Sequence, residues 1–211
     1  EAAHQAGKAL TVFHTSGQSD PLVLRYADYY VSGEQYRGKI NGSYLASLPL
    51  STWRTEFSTR QWGAKPVIIP EFNTSDVKAE APTRELMGLV LLHNIAIWPI
   101  WSNLKVVNDI YSVFDRAVAP TSTFVRYDRQ DVLKADDQNI KVSLYNITAN
   151  RSVALAFNTG HPIKSRICAA QKAIYQAHDM ELRHQILKYD KNCLDLSLGE
   201  HDFVLMEVNH E

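Results

Sequence analysis

"KPVIIPEFN", residues 65–73, decides how the rest of the chain is read. Its centre is apolar on both faces, as a strand buried on both sides of a parallel sheet must be. The run then delivers a carboxylate, Glu71, where such strands usually stop in apolar residues or in turn residues such as Gly, Asn and Asp. In parallel α/β architectures the carboxyl ends of the strands form the functional edge. An acid placed there reads as part of a pocket.

Three more runs repeat this design: "LTVF" ending at His14, "LVLRYA" ending at Asp28, and "IAIWPIW" ending near Asn103. Helical patterns lie between them. "EAAHQAGKA" precedes the first run, and "PLSTWRTEFSTRQ" places Leu50, Trp53, Phe57 and Arg60 at helical spacing. "PTRELMGLVLLHN" opens with Pro82 and Thr83 and sets Glu85 in the first turn, where the helix dipole favours an acid. "LKVVNDIYSVFDRA" carries Val107, Ile110, Tyr111 and Phe114 on one face. Strand and helix in alternation predict βα units around a parallel sheet. Closing a (β/α)8 barrel takes eight strands, and four are present here. A chain that opens on a helix leading into a strand is therefore expected to be the second half of a barrel. The missing half would come from the rest of the polypeptide or from another chain; an open four-stranded α/β sheet is the alternative.

After Pro120 the texture changes. In "IKVSLYNITANRSVALAFNTG", Val142, Leu144, Val153, Leu155 and Phe157 are read as alternating with polar partners, which predicts a hairpin joined through Asn146 to Ser152. "CLDLSLGEHDFVLMEV" is expected to repeat the arrangement, with its turn at Gly199 to Asp202. "SRICAAQKAIYQAHDMELRHQILKYD" is read as strands carrying a loop, against a helix from Ala169 to Gln176. The expected organisation is residues 1–119 as the C-terminal half of a catalytic barrel and 120–211 as an antiparallel β-sandwich, cut near "AVAPTST".

The bulk numbers exclude several classes. The 211 residues are 45% hydrophobic and 21% charged with net charge −1, so no basic footprint for nucleic acid or anionic membrane exists. The longest apolar stretch, Leu86 to Trp101, is interrupted by His93, Asn94 and Pro99 and is too short for a membrane span. The chain begins without an initiator Met or a signal peptide, which suggests a processed protein or a fragment. Cys168 and Cys193 are compatible with one disulfide or with two free buried thiols. Sequons stand at Asn41, Asn73, Asn146 and Asn150, where chance supplies about one or two, so a secreted or periplasmic location is expected.

Reading the expected strand ends gives His14 with Thr15 and Ser16, Asp28 with Tyr29 and Tyr30, Glu71, then Trp98, Trp101, Ser102 and Asn103; Glu34 follows in "VSGEQYRG". Carboxylates act as acid, base or nucleophile in glycoside cleavage, aromatic faces stack on sugar rings, and Asn and His bond hydroxyls. The structural alternatives are plain: Glu71 as a cap or a partner of Arg54, Arg60 or Lys65, Asp28 as a turn residue, His14 as a core imidazole. Of Trp98 and Trp101, three residues apart, one is expected in the core; Trp53 and Trp62 suit helix packing. "GQSD" and "SGEQYRG" lack the spacings of a phosphate loop. H-E-x-x-H, paired Cys motifs and G-x-S-x-G are absent, and His178 and His184 in "HDMELRH" are poorly spaced for a zincin. No metal or cofactor is expected.

"FHTSG", "RYADYYVSGEQYRG", "FSTRQWGAKPVIIPEF" and "LLHNIAIWPIW" resemble the later barrel strands of large glycoside hydrolases near the β-N-acetylgalactosaminidase-like family, and the closing β region resembles their C-terminal domain. The resemblance implies a (β/α)8 barrel with a following β-sandwich, and hydrolysis of glycosidic bonds. Relatives that cleave N-acetylhexosamines use an adjacent Asp–Glu pair, with the substrate acetamido group as nucleophile. This sequence has no adjacent Asp-Glu, so the resemblance also implies that the acid can reside in the missing half-barrel, leaving Asp28, Glu34 and Glu71 to bind or support. The reading carried forward makes Glu71 the acid/base and Asp28 the second carboxylate, with His14, Tyr30, Glu34, Trp101 and Asn103 around a carbohydrate. A non-catalytic carbohydrate-binding or assembly protein with a degenerate barrel is the alternative.

Overall fold

The computed structural model describes residues 7, 10–15, 21–57, 63–73, 76–170, 174–181, 188–190 and 192–210. The expected first helix (apart from Gly7), Ser16, "GQSD", Arg60, Trp62 and His184 lie outside them. The chain forms two compact units, residues 1–86 with 93–107 and residues 87–92 with 108–211.

In the first unit, β1 (Val12–His14), β2 (Tyr29–Ser32), β3 (Lys65–Ile68) and β4 (Ala96–Ile97) make a four-stranded sheet in the order β1-β2-β3-β4. All three pairings are parallel, and His14, Val31, Val67 and Ala96 stand in one row. Strand order that follows chain order, with no reversal, is the winding of a barrel rather than of a doubly wound sheet. The helices are α1 (Pro21–Leu24), α2 (Tyr44–Ser47) and α3 (Leu50–Glu56), with α4 (Glu80–Leu92) and α5 (Leu104–Ala117) passing into the second unit at Met87 and Asn108. Short 3₁₀ turns cover Glu34–Tyr36 and Pro99–Trp101.

One expected strand is a helix. Pro21–Leu24, which takes in the first three residues of "LVLRYA", makes a single helical turn that buries Leu24 and leaves Leu22 and Val23 exposed. Pairing with β1 and β3 goes instead to "YYVS", which is buried over most of its length. The register thus moves four residues downstream, and Asp28 falls at the amino end of β2. A second correction concerns α4. It begins at Glu80, so Glu85 lies beyond its first turn. There Glu85 is buried, and its Oε1 accepts hydrogen bonds from Ser43 Oγ (2.8 Å) and the Leu45 amide (2.7 Å).

The second unit holds two antiparallel sheets. One has the order β10 (Ile174–Asp179), β13 (Phe203–His210), β8 (Arg151–Asn158), β7 (Ile140–Thr148), β5 (Thr123–Val125). The other runs β11 (Lys188–Asp190), β12 (Cys193–Leu198), β9 (Ile163–Ala169), β6 (Leu133–Ala135). Val142, Leu144, Ala154, Ala156, Val204 and Met206 from the first sheet share a core with Ile167, Leu194, Leu196 and Leu198 from the second. The opposite face of the first sheet is buried too. Ser143 Oγ bonds the Leu92 carbonyl at 2.8 Å, Tyr145 OH bonds the Leu91 carbonyl, and Phe157 and Phe203 crowd Gly88.

The hairpin of β7 and β8 forms as expected, but register puts Val142 and Leu144 opposite Ala156 and Ala154, while Leu155 and Phe157 face the other side. The second expected hairpin does not form. β12 pairs with β9 and β11, β13 with β8 and β10, so Gly199–Asp202 carries the chain from one sheet to the other. Alternation is the same for strands in one sheet or in two facing sheets, and the sequence pattern cannot separate them. In the stretch weighed as a helix, Ala169 ends β9 and Ile174 begins β10, while residues 171–173 lie outside those described. Cys168 and Cys193 are register partners on β9 and β12 and form a disulfide.

Candidate functional site

Gly33 makes the carboxyl edge of the parallel sheet possible. Its φ of +139° lies where side chains are rarely tolerated, and a Cβ there would fall 2.3 Å from the Ile69 carbonyl oxygen. Glycine lets β3 pass close by, with the Ile69 amide donating to the Ser32 carbonyl at 2.8 Å. The chain turns at once into Glu34–Tyr36, where Gln35 accepts from the Gly33 amide (2.9 Å) and donates to Ser32 Oγ (3.1 Å). Glu34 is thereby fixed beyond β2. Its Oε2 lies 3.1 Å from Nε2 of His14, which ends β1; both side chains are nearly half exposed.

Glu71 follows β3. Its amide donates to the hydroxyl of Tyr44 at 2.6 Å. Tyr44 is fully buried and packs edge-on against Phe72 (5.1 Å) and Trp53 (6.0 Å). An aromatic cluster thus anchors the backbone that presents the half-buried Glu71. Burial pushes the Glu71 carboxyl above its ordinary pKa, Arg37 pulls it back, and Glu34 pushes it up again. The group is held toward its acid form by desolvation and by a like charge. Sequence reasoning passed over Arg37, although it stands three residues after Glu34, one turn of a 3₁₀ helix away.

The structure therefore brings His14, Glu34 and Glu71 to one rim, with Arg37 acting on Glu71. It takes Asp28 away from it. Asp28 Oδ2 accepts from the Thr11 amide at 2.7 Å, and the Asp28 carbonyl accepts from the Lys65 amide at 2.9 Å, both at the amino end of the sheet. The strand shift described above is the cause. Tyr30 is 1% exposed on the face opposite His14, packed with Leu24, Ala27 and Ala64, and its hydroxyl donates to the Glu56 carbonyl. Burial raises its pKa. Asn103 caps α5, accepting from the amides of Lys105 (3.1 Å) and Val106 (3.3 Å), and its Nδ2 donates to the Lys78 carbonyl at 2.7 Å. Its polar atoms serve the fold. Neither Trp98 nor Trp101 is core: they are 49% and 51% exposed, whereas Trp53 is buried as expected. His178 stands on β10 opposite Glu207. Among the described residues no group of three or more His, Cys, Asp or Glu is arranged to hold a metal. No helix described is long and apolar enough to cross a membrane.

No family model and no curated protein matches the sequence. Solved structures do match in fold. A GH27 β-L-arabinopyranosidase from Geobacillus stearothermophilus superposes with a TM-score of 0.56 at 12% identity, covering 94% of this chain and 49% of the enzyme. A variant of that enzyme in complex with arabinose gives 0.53 at 12% identity, covering 90% and 47%. Alpha-galactosidase I from Mortierella vinacea gives 0.44 at 10% identity, covering 94% and 53%. The chain spans about half the length of the arabinopyranosidase structures it matches. A parallel β/α sheet followed by antiparallel β sheets, in partial match to the GH27 barrel-plus-β-domain structures, is the fold of this chain; it resembles that of glycoside hydrolases.

Proposed function

We propose that this chain is part of a glycoside hydrolase, contributing half of a catalytic barrel and the β-sandwich beside it in sequence. Glu71 is the general acid/base. Glu34 takes the place given at first to Asp28, as the neighbouring carboxylate, with His14 orienting it through the 3.1 Å contact. The observation that carries the reading is the meeting of Glu71, Glu34 and His14 at the carboxyl edge of a glycosidase-like sheet, where burial raises the Glu71 pKa. Raising a carboxyl pKa by burial and a like charge shifts the group toward its acid form, the form that donates a proton to a glycosidic oxygen. If Glu34 lies about 5 Å from Glu71 in the working enzyme the reaction retains configuration, and at roughly 6.5–9.5 Å it inverts. The cross-strand disulfide and the four sequons support export.

The test is Glu71→Gln in the polypeptide encoded by the full gene, assayed on a panel of aryl glycosides. Turnover of whichever substrate is cleaved should fall about 10²–10⁴-fold with the circular dichroism spectrum unchanged. A variant that keeps its rate refutes the assignment. Retention on immobilised glycan with no sugar released by the unaltered protein points instead to the non-catalytic alternative.

A further inference from the structure

The second unit has a cleft of its own, on the outer face of the sheet β11-β12-β9-β6. Leu194, Leu196 and Ile167 point into the core between the two sheets. Side chains alternate along a strand, so Asp195 on β12 and Lys164 and Arg166 on β9 point the other way. Register sets Asp195 directly opposite Arg166, whose Nε donates to Asp195 Oδ1 at 2.8 Å. On the other side of β9, Leu133 and Ala135 of β6 pack on the same core. The Asp136 amide, just beyond β6, donates to the Arg166 carbonyl at 2.9 Å. Asp195, Arg166 and Asp136 therefore lie in one row across neighbouring strands, spaced about 4.8 Å apart. Lys164 stands two residues from Arg166 along β9, about 7 Å away.

These groups border a cleft of about 480 Å³, lined by Asp136, Asp137, Lys164, Arg166 and Asp195 and completed by Ser165 and Leu196. Sites for small molecules run from about 300 to 1,000 Å³. Asp137 is partly engaged by its own loop, its Oδ1 accepting from the Asn139 amide at 2.7 Å. Among the described residues, Lys164 and Asp136 line the same cleft without forming an ion pair with each other or with a third group. Three carboxylates and two cations thus interleave. An anion seated on Lys164 and Arg166 would meet Asp136 and Asp195, and a cation would meet the two basic side chains. An apolar group would strip water from all of them. A hydroxyl suits the pattern, because its O–H donates to a carboxylate while its lone pairs accept from a guanidinium or an ammonium. Hydrogen bonds to ionised partners are also the stronger kind.

We propose that this cleft binds a saccharide, holding sugar hydroxyls between the carboxylates of Asp136 and Asp195 and the donors of Arg166 and Lys164. The Arg166–Asp195 pair is built in advance, and Asp136 and Lys164 exchange water for sugar at its sides. No aromatic residue lines the cleft, so recognition is by hydrogen bonds and not by stacking. Such contacts are individually weak, and a polymer that repeats the same sugar offers them many times over. The site lies wholly in the second unit, whereas His14, Glu34 and Glu71 belong to the first. It adds a sugar contact that the Glu71 rim does not supply, and it does not depend on the assignment of a catalytic acid.

Affinity electrophoresis tests this without reading hydrolysis. The polypeptide encoded by the full gene is run in native gels cast with arabinogalactan, galactomannan, xylan or dextran. At least one of these polymers should retard the unaltered protein. Lys164→Ala combined with Asp136→Ala removes two charge-assisted hydrogen bonds and should weaken that binding at least about 10-fold. Melting temperature and any aryl-glycoside turnover should stay unchanged. Lys164→Arg alone keeps a donor and should keep the retardation. The proposal is overturned if no polymer retards the unaltered protein. It is overturned equally if the double variant is retarded as strongly, since the sugar is then held elsewhere, as at the Glu71 rim. A dimer seen by sedimentation that Asp136→Lys dissociates also overturns it, because a second copy would then fill the cleft.

Discussion

Replacing Gly33 by alanine tests how the site is built. An added Cβ would lie 2.3 Å from the Ile69 carbonyl oxygen and 3.0 Å from its nitrogen. Ordinary C···O contact is about 3.3 Å, so β2 and β3 must part by about 1 Å just where the Ile69 amide bonds Ser32. A φ of +139° adds strain of about 1–3 kcal/mol, overpacking about 1–3 kcal/mol and the lost hydrogen bond about 1 kcal/mol. Together, Gly33→Ala should cost about 3–7 kcal/mol. Gly38→Ala is the control: φ is +73° and nothing lies within 4 Å of the new Cβ, so only the left-handed conformation is penalised, at about 1–2 kcal/mol. All four tryptophans, at positions 53, 62, 98 and 101, lie in the first half of the chain. Tryptophan fluorescence during urea unfolding therefore reports on the parallel-sheet unit. A Gly33→Ala transition within about 0.5 kcal/mol of that of Gly38→Ala would refute the close approach of the two strands. Failure of Gly33→Ala alone to fold agrees with it.

Three other outcomes are expected. Cys168→Ser with Cys193→Ser opens a loop of sequence separation 25 and should lower stability by about 3.5 kcal/mol, read by far-ultraviolet circular dichroism in urea. The Arg151 guanidinium bonds Glu207 twice, at 2.9 and 3.0 Å, and holds its carboxyl below the usual range. A lowered folded pKa means that this contribution is complete above the unfolded value and is lost as pH falls through the folded one. Because Arg151 is partly exposed, Glu207→Gln should cost under about 1 kcal/mol at neutral pH, and the difference should fade in acid. Asn103→Ala should cost about 1 kcal/mol by uncapping α5, and thermal melting would show it.

Much of the frame was legible in the sequence. Doubly apolar runs such as "VIIP" have few uses outside a parallel sheet, and the 3.6-residue rhythm of "LKVVNDIYSVFDRA" matches α5 from Leu104 to Ala117. The carboxylate at the end of "KPVIIPEFN" stands on the rim where the strand's direction puts it. "LVLRYA" misled because a single helical turn and a short buried strand share one apolar pattern; only pairing of Tyr29–Ser32 with β1 and β3 separated them.

What the sequence determined, then, is what depends on local periodicity: strand-helix alternation, the change to period two after Pro120, and an acid beyond β3. Tertiary structure alone decided what depends on register and on neighbours distant in the chain. It moved Asp28 to the far end of the sheet and turned Tyr30 into the core. It assigned Asn103 to a helix cap, placed β12 and β13 in different sheets, and joined Glu34 to His14. Side-chain direction alternates with every residue along a strand, so a shift of a few positions changes the face or the end at which a group emerges, and no local pattern records that shift.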